Sequence, residues 1–456
     1  MPTDASKETD HLAAYIVEAL NRDIPADVAE KTKQHTLDTL AAAISGSSLP
    51  AGQAALRFVA AEGGTPVASV IASNQRTTMS NAAFANAMMA HADETDDTHQ
   101  KGRMHPGATI VPAALAAAEA HGRNGETLLR AVTLGYDVAV RVNLSLGPKF
   151  LLDGGHSTHS VGTHFGGTAA AAALACFDEE RTQAALSYCM QQTAGCATYI
   201  RDKGHIEKAF DFNAMAARNA LSSVTMAALG FSAASDPLSS PYGFYDVFTT
   251  EPNPAELVDE LGERFEVMGA QIKKWPVGNP NMTPIESLRH LMAAHGLNAE
   301  NIAAVRVQLP RRRFDIASTT QLPDVSTPHL LAVLILDGTL TFASTHDEAR
   351  MHDPAVLAMR EKITLVINEE LDAKFPMRPA IVEVTTTSGE SFQHRTDAAP
   401  GTPYNPMTRD EVAAKVSDLT TDIIGLEKTE RLIANVFDLE RVKNVADLCP
   451  LMRPES

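Results

Sequence analysis

From Asp10 to about Phe265 apolar positions recur with the period of a helix. Leu37, Leu40, Ala41 and Ile44 fall at i, i+3, i+4 and i+7, as do Phe84, Ala87, Met88 and His91. Residues at that spacing share one helix face, so the stretch predicts one helix after another. Around Trp275 the pattern changes. Val305, Val307 and Leu309 alternate with polar residues, Ile363, Leu365 and Ile367 keep the same spacing, and the run Ile381 to Thr387 meets Gly389 and a partner segment Ser391 to Arg395. Alternation puts successive side chains on opposite faces of a strand, and a glycine between two such runs marks a hairpin. Between these strands Pro328 to Leu336 is again helical and stops at Asp337-Gly338, which makes the insert α+β. Ala398 to Pro406 reads as a linker, and Thr408-x-x-Glu411 has the spacing of a capping box that opens a C-terminal helix. The expected organisation is a helical domain over residues 1–270, an α+β domain over 271–404 and a helical return over 405–456. No fixed-period repeat points to a solenoid.

Composition sharpens this mainly α reading. Aromatic residues are 5% of the chain, with one Trp, whereas alanine occurs in long runs, so burial has to come from closely packed helices. With 38 basic against 56 acidic side chains the net charge is −18, which argues against a nucleic-acid groove or an anionic membrane surface as partner. Cys176, Cys189, Cys196 and Cys449 form no C-x-x-C pair and read as reduced thiols of a cytoplasmic protein. The most apolar stretch, Gly166 to Phe177, is too short to span a bilayer, and no targeting segment is read at Met1.

The densest ionisable cluster runs from His91 through Asp93, Glu94, Asp96, Asp97 and Thr98 to His99, followed by His105-Pro106-Gly107. Carboxylates beside imidazoles fix their tautomers and suit them to proton transfer near neutral pH. A metal site at Asp93, Asp96 and Asp97 is the rival reading, although the spacing matches neither H-E-x-x-H nor a calcium loop. A solvated acidic loop, with His91 on the buried face of its helix, is the plain alternative. A second cluster, Gly154 to Gly167, carries His156, Thr158, His159 and His164 into an alanine-rich helix. Glycines and free N–H groups at a helix start let a carboxylate approach, and a tight connection between helices would look the same. Third, Tyr199 to Asn213 sets Arg201, Lys203, His205 and Lys208 in an otherwise acidic chain, where they could hold substrate carboxylates or form surface ion pairs, with Asp211 capping the next helix. Lys273-Lys274-Trp275-Pro276 marks the change of texture and reads as a hinge or as an ordinary linker. There is no nucleophile elbow, dinucleotide fingerprint or iron–sulfur spacing.

Taken together and in order, these segments resemble the MmgE/PrpD family over nearly the whole chain. Its H-x-x-D-F-D-D-T-H and H-P-G elements are similar to His91 to His99 and His105 to Gly107, and its G-x-H-x-T-x-x-x-G-x-x-G-A-A-A-A element to Gly154 to Ala172. Its Lys-Arg-x-His-x-Gly element resembles Lys208 to Asn213, its Lys-x-x-Pro element Lys273 to Pro276, and its apolar helix ending in Asp-Gly the stretch Leu330 to Gly338. The resemblance implies a large all-helical domain formed by both chain ends, a smaller α+β lid domain, a homodimer, and no cofactor or metal. It implies chemistry of the kind shown by 2-methylcitrate dehydratases, cis-aconitate decarboxylases and an iminodisuccinate epimerase. The expected function is a cofactor-independent lyase for a small di- or tricarboxylate, an epimerase or a non-catalytic carboxylate binder being the alternatives. By position, His105 and His156 would move protons, Thr98 and Glu94 would orient substrate, and Lys208 and Lys273, with Asp97 and Thr158, would bind it. The sequence departs from the pattern at Glu94-Thr95 in place of Asp-Phe, at Ala209, Asp211 and Asn213 in place of Arg, His and Gly, and at Val277 to Thr283, where a Cys and a His are missing. Losing an arginine and a histidine removes two anion contacts, so a smaller or differently charged acid fits better than methylcitrate.

Overall fold

The computed structural model describes residues 7–202, 204–319, 322–375 and 377–454. They form two compact units, residues 1–270 with 419–456 and residues 271–418. No described helix is long and apolar enough to cross a membrane.

The first unit is built from helices, among them α1 (Ala26–Gly46), α2 (Met79–Ala90), α3 (Gly107–Ala120), α4 (Gly125–Leu146), α5 (Thr158–Leu174) and α6 (Met215–Ala228). Thr78 caps α2 by accepting from the Asn81 N–H at 3.2 Å, and Asn124 caps α4 through the Thr127 N–H at 2.9 Å. Helix α2 is buried from Asn81 to Ala90 without a break, and α5 from Ser160 to Leu174. The small residues explain how backbones come so close. A Cβ on Gly166 would lie 2.4 Å from the Gly135 carbonyl oxygen, and one on Gly162 would lie 2.2 Å from that of Ala139. Gly162 and Gly166 thus seat α5 on α4, so these two glycines of the second cluster serve helix packing.

The second unit holds α7 (Met282–His295), β1 (Ile302–Leu309), α8 (Thr327–Asp337), β2 (Ile363–Ile367), β3 (Ala380–Thr386) and β4 (Ser391–Thr396). Its sheet has the order β2-β1-β3-β4, with β1 parallel to β2 and the other pairs antiparallel. Val305 pairs with Ile363 on one side and Val384 on the other, so the inward residues of three strands line up. Val305, Val307, Leu309, Val382 and Val384 form one core with Ile285, Leu288 and Leu291 of α7 and Leu330, Leu331 and Leu334 of α8. The alternation read in the sequence is this half-buried sheet face. Helix α8 stops at Gly338, whose φ of 78° is the left-handed turn a glycine allows.

Helix α9 (Arg409–Ile424) begins with the expected capping box, the Thr408 N–H donating to Glu411 at 3.0 Å and the Glu411 N–H to Thr408 Oγ1 at 3.2 Å. The boundary between units falls within α9, after Asp418, and not at 404. Lys274 reaches Glu411 at 2.9 Å and the Phe342 N–H reaches Asp418 at 2.8 Å, so the first part of α9 is held by the second unit. After α9, α10 (Leu426–Phe437) belongs to the first unit.

Candidate active site

The loop after α2 turns its two adjacent aspartates in different directions. His91, the C-cap of α2, and His105, just before α3, both present Nδ1 to Asp96 at 3.0 Å. Burial acts to raise the Asp96 carboxyl, but the His105 and His91 rings outweigh it and hold it well below the usual carboxylate range. An ionised carboxylate there fixes Nδ1–H on both rings and leaves each Nε2 on the far side. Asp97 is also wholly buried, and its partners differ. His35 of α1 lies 2.6 Å from Oδ2, the Tyr136 hydroxyl of α4 donates to the same oxygen at 2.6 Å, and the Gly107 N–H at the start of α3 donates to Oδ1 at 3.0 Å. Three helices are tied to this one carboxylate, at a helix N-terminus that favours negative charge.

Residues Phe210–Ala214 form one wide π turn between the short helix Ile206–Ala209 and α6. The extra residue carries Phe212 into the imidazole cluster, a placement such turns are known for. The Phe212 ring stacks on His159 with centroids 3.5 Å apart and on His91 at 4.7 Å, and it lies 5.6 Å from His105. His159 lies 5.3 Å from His105, and His205 lies 5.2 Å from His91. Burial, with His105, His91 and Lys208 nearby, holds the His159 ring well below the ordinary imidazole value, so it is neutral at pH 7. Asn213 donates to the His105 carbonyl at 2.8 Å and to Thr109 at 2.9 Å, which pins the π turn to the His105 backbone. Lys208 forms an ion pair with Glu94 and stands 5.1 Å over the Phe212 ring.

Among the described residues, the group that could hold a metal ion is His91, Asp96 and His105, whose donor atoms lie within 4.8 Å of one another. The two Nδ1–H···Asp96 bonds satisfy those atoms by themselves. Asp93 accepts from the Thr95 N–H at 2.9 Å and its hydroxyl at 2.5 Å, and Asp97 faces the other way, so the three aspartates do not converge as a metal reading would require.

Two family models match, the MmgE/PrpD N-terminal domain over residues 10–257 and the MmgE/PrpD C-terminal domain over 275–439. The chain belongs to the MmgE/PrpD family. It is 26% identical to a cis-aconitate decarboxylase-like protein of Aspergillus oryzae, covering 99% of both chains. It is 24% identical to the cis-aconitate decarboxylase of Aspergillus terreus over 95% of this chain and 94% of that one, and 22% identical to the human cis-aconitate decarboxylase over 94% and 91%. These similarities support an enzyme of the lyase type.

Within this MmgE/PrpD chain the structure brings some of the residues expected from sequence together and sets others elsewhere. His105, Glu94 and Lys208 come together around Phe212. His156 takes another place: its ring lies 5.8 Å from Phe248 and its backbone bridges to Cys196. Helix phase explains the change, because His156 precedes α5 whereas His159 is on its first turn. Thr158 donates to the Arg103 carbonyl at 2.7 Å, which fastens α5 to the loop, and Asp97 is the helix anchor described above. Both side chains tie parts of the framework together. Thr98 is buried and accepts from Gln100 at 3.3 Å. Asp211 does not cap the next helix; it accepts from Ser157 at 2.5 Å, and burial raises its carboxyl to about 6. Lys273 is fully buried and belongs to the second unit. Lys203 lies outside the described residues. Sequence reasoning missed His159, His205 and Phe212 as one cluster, together with His35 and Tyr136.

Proposed function

We propose that the protein is a lyase that acts on a small polycarboxylate by proton transfer at the carbon next to a carboxylate, with His105 as the principal proton carrier and His159 as its neighbour. The observation that carries this is Asp96 under His105. A buried ionised carboxylate on Nδ1–H leaves Nε2 as the basic atom and steadies the imidazolium formed when Nε2 takes a proton. His159, kept neutral beside it, adds no second positive charge next to the imidazolium. Lys208 is the cation available to a substrate carboxylate.

The names of the relatives favour decarboxylation over dehydration. In that reaction the carbon–carboxylate bond breaks, carbon dioxide leaves, and the electron pair left on carbon takes the proton from the His105 imidazolium. In the dehydration, His105 would take the proton α to a carboxylate while a second acid protonates the departing hydroxyl. The decarboxylation needs no group beyond these side chains, and a cytoplasmic homodimer is part of the same proposal.

The test is proton–deuterium exchange and product formation, followed by NMR, on malate, citrate, methylcitrate, cis-aconitate and iminodisuccinate. Turnover of at least one acid, lost in His105→Ala, reduced in His159→Ala and retained in His156→Ala, is the expected result. Binding of an acid without exchange, water loss or decarboxylation would replace the lyase by a carboxylate-binding protein. Loss in His156→Ala equal to that in His105→Ala would return His156 to the site.

A further inference from the structure

The cation that the site offers to an anion already has one. Lys208 pairs with the Glu94 carboxylate, the two side chains being 21% and 13% exposed. The same ammonium lies 5.1 Å over Phe212, and the Phe212 ring stacks on His159 and His91. The Glu94 carboxylate is therefore held one aromatic ring away from the imidazoles, in the position where Lys208 would hold a ligand's carboxylate. Resting on the reading of this site as one for small acids, we infer that Glu94 is an internal occupant of the Lys208 anion position and sets how many negative charges a ligand can bring.

The physical argument is an exchange. An acid that reaches Lys208 replaces one carboxylate partner by another, so the attraction gained is largely the attraction given up. The displaced Glu94 then stands beside the incoming ligand as a like charge. That repulsion grows with every further carboxylate the ligand carries, so Glu94 selects by charge number. Glu94 is the residue suited to this because it sits on the loop that also carries Asp96 and His105, so its displacement is felt next to the proton carriers.

The experiment is calorimetric titration of the full chain with acetate, malonate and citrate at constant ionic strength. Glu94→Gln keeps the shape of the side chain and removes its charge. It should tighten citrate by about tenfold, malonate by less and acetate least. Glu94→Asp, one methylene shorter with the charge retained, should fall between wild type and Glu94→Gln. Glu207→Gln, an exposed carboxylate near Lys208 in sequence, should change nothing, and in a Lys208→Met background Glu94→Gln should confer no gain. Weaker citrate binding by Glu94→Gln would overturn the inference and make Glu94 a direct ligand contact. An equal gain in Glu207→Gln would reduce the effect to bulk charge, and failure of every acid to bind either protein would remove Lys208 as an anion receiver. Turnover is not part of this readout, so the proton chemistry of His105 can fail while the binding pattern stands, and the reverse.

Discussion

Asp96 and Asp97 are neighbours in the chain, equally buried and equally acidic in type, yet they do different work. Asp96 receives two imidazoles that border Phe212 and His159, and the His105 side chain keeps 10% of its surface exposed. Asp97 receives an imidazole, a phenol and a main-chain N–H from three separate helices, and Tyr136 and His35 are wholly enclosed. Burial, and then the charge of the adjacent Asp97, push the Tyr136 hydroxyl well above its ordinary value, so that proton stays in place. The difference teaches that a buried carboxylate is a framework or a chemical device according to whether its partners can exchange a proton with something outside the core.

The largest effect expected on the Asp96 side is His105→Ala. It should lower kcat by about a thousandfold or more, roughly 4 kcal/mol, with little change in melting temperature, as read by steady-state kinetics and calorimetry. On the Asp97 side, Asp97→Asn should cost roughly 3–5 kcal/mol of stability in urea denaturation, because it breaks a buried charge-assisted network. Asp96→Asn should do the opposite in kind, lowering kcat about a hundredfold with a smaller loss of stability. Equal stability losses in the two asparagine variants would erase the comparison. Next comes Gly107→Ala, whose Cβ would lie 2.4 Å from Thr39 Oγ1, 2.7 Å from the Tyr136 hydroxyl and 2.9 Å from Asp97 Oδ1. It should cost roughly 1–3 kcal/mol by overpacking the Asp97 anchor, and a neutral result would show that this anchor yields easily.

The smallest effect expected at any one group is a pH dependence that sets enclosed rings apart from the exposed edge of His105. Burial lowers His99 and His164 to about 4 from an ordinary 6.5. The unfolded chain therefore binds protons that the folded chain refuses, and stability falls as pH drops from 6.5 toward 4, by about 2 kcal/mol per ring at pH 5. Asp137, which burial raises to about 7, works in the other direction, its contribution being lost as pH rises from 3.8 toward 7. Urea midpoints at pH 7 and pH 5 for wild type and His164→Gln would check this, and a variant no less sensitive to acid than wild type would contradict it.

The helical first unit was legible because its apolar residues repeat locally, and the strands of the second because Val305, Val307 and Leu309 alternate. The capping box at Thr408 and Glu411 and the stop at Gly338 were legible for the same reason, since both are made by residues a few positions apart. The candidate site was legible only in part. His105, Glu94 and Lys208 stood out by charge, but nothing in local spacing distinguishes His156 from His159, which lie three residues apart at the start of α5. The glycines at 162 and 166 read equally well as a ligand cradle, and it takes the carbonyls of Gly135 and Ala139 to show that they are packing contacts.

By itself the sequence determined a mainly α chain with an α+β insert, an acidic loop rich in histidine and a basic segment to answer it. Periodicity and composition are properties of a few consecutive residues, so one dimension suffices to record them. Tertiary structure alone decided that Asp96 turns to His105 while Asp97 turns to His35 and Tyr136, that Phe212 enters the cluster, and that Lys208 meets Glu94. Those pairings join residues from distant helices and depend on how closely small side chains let the backbones approach, which no single segment encodes.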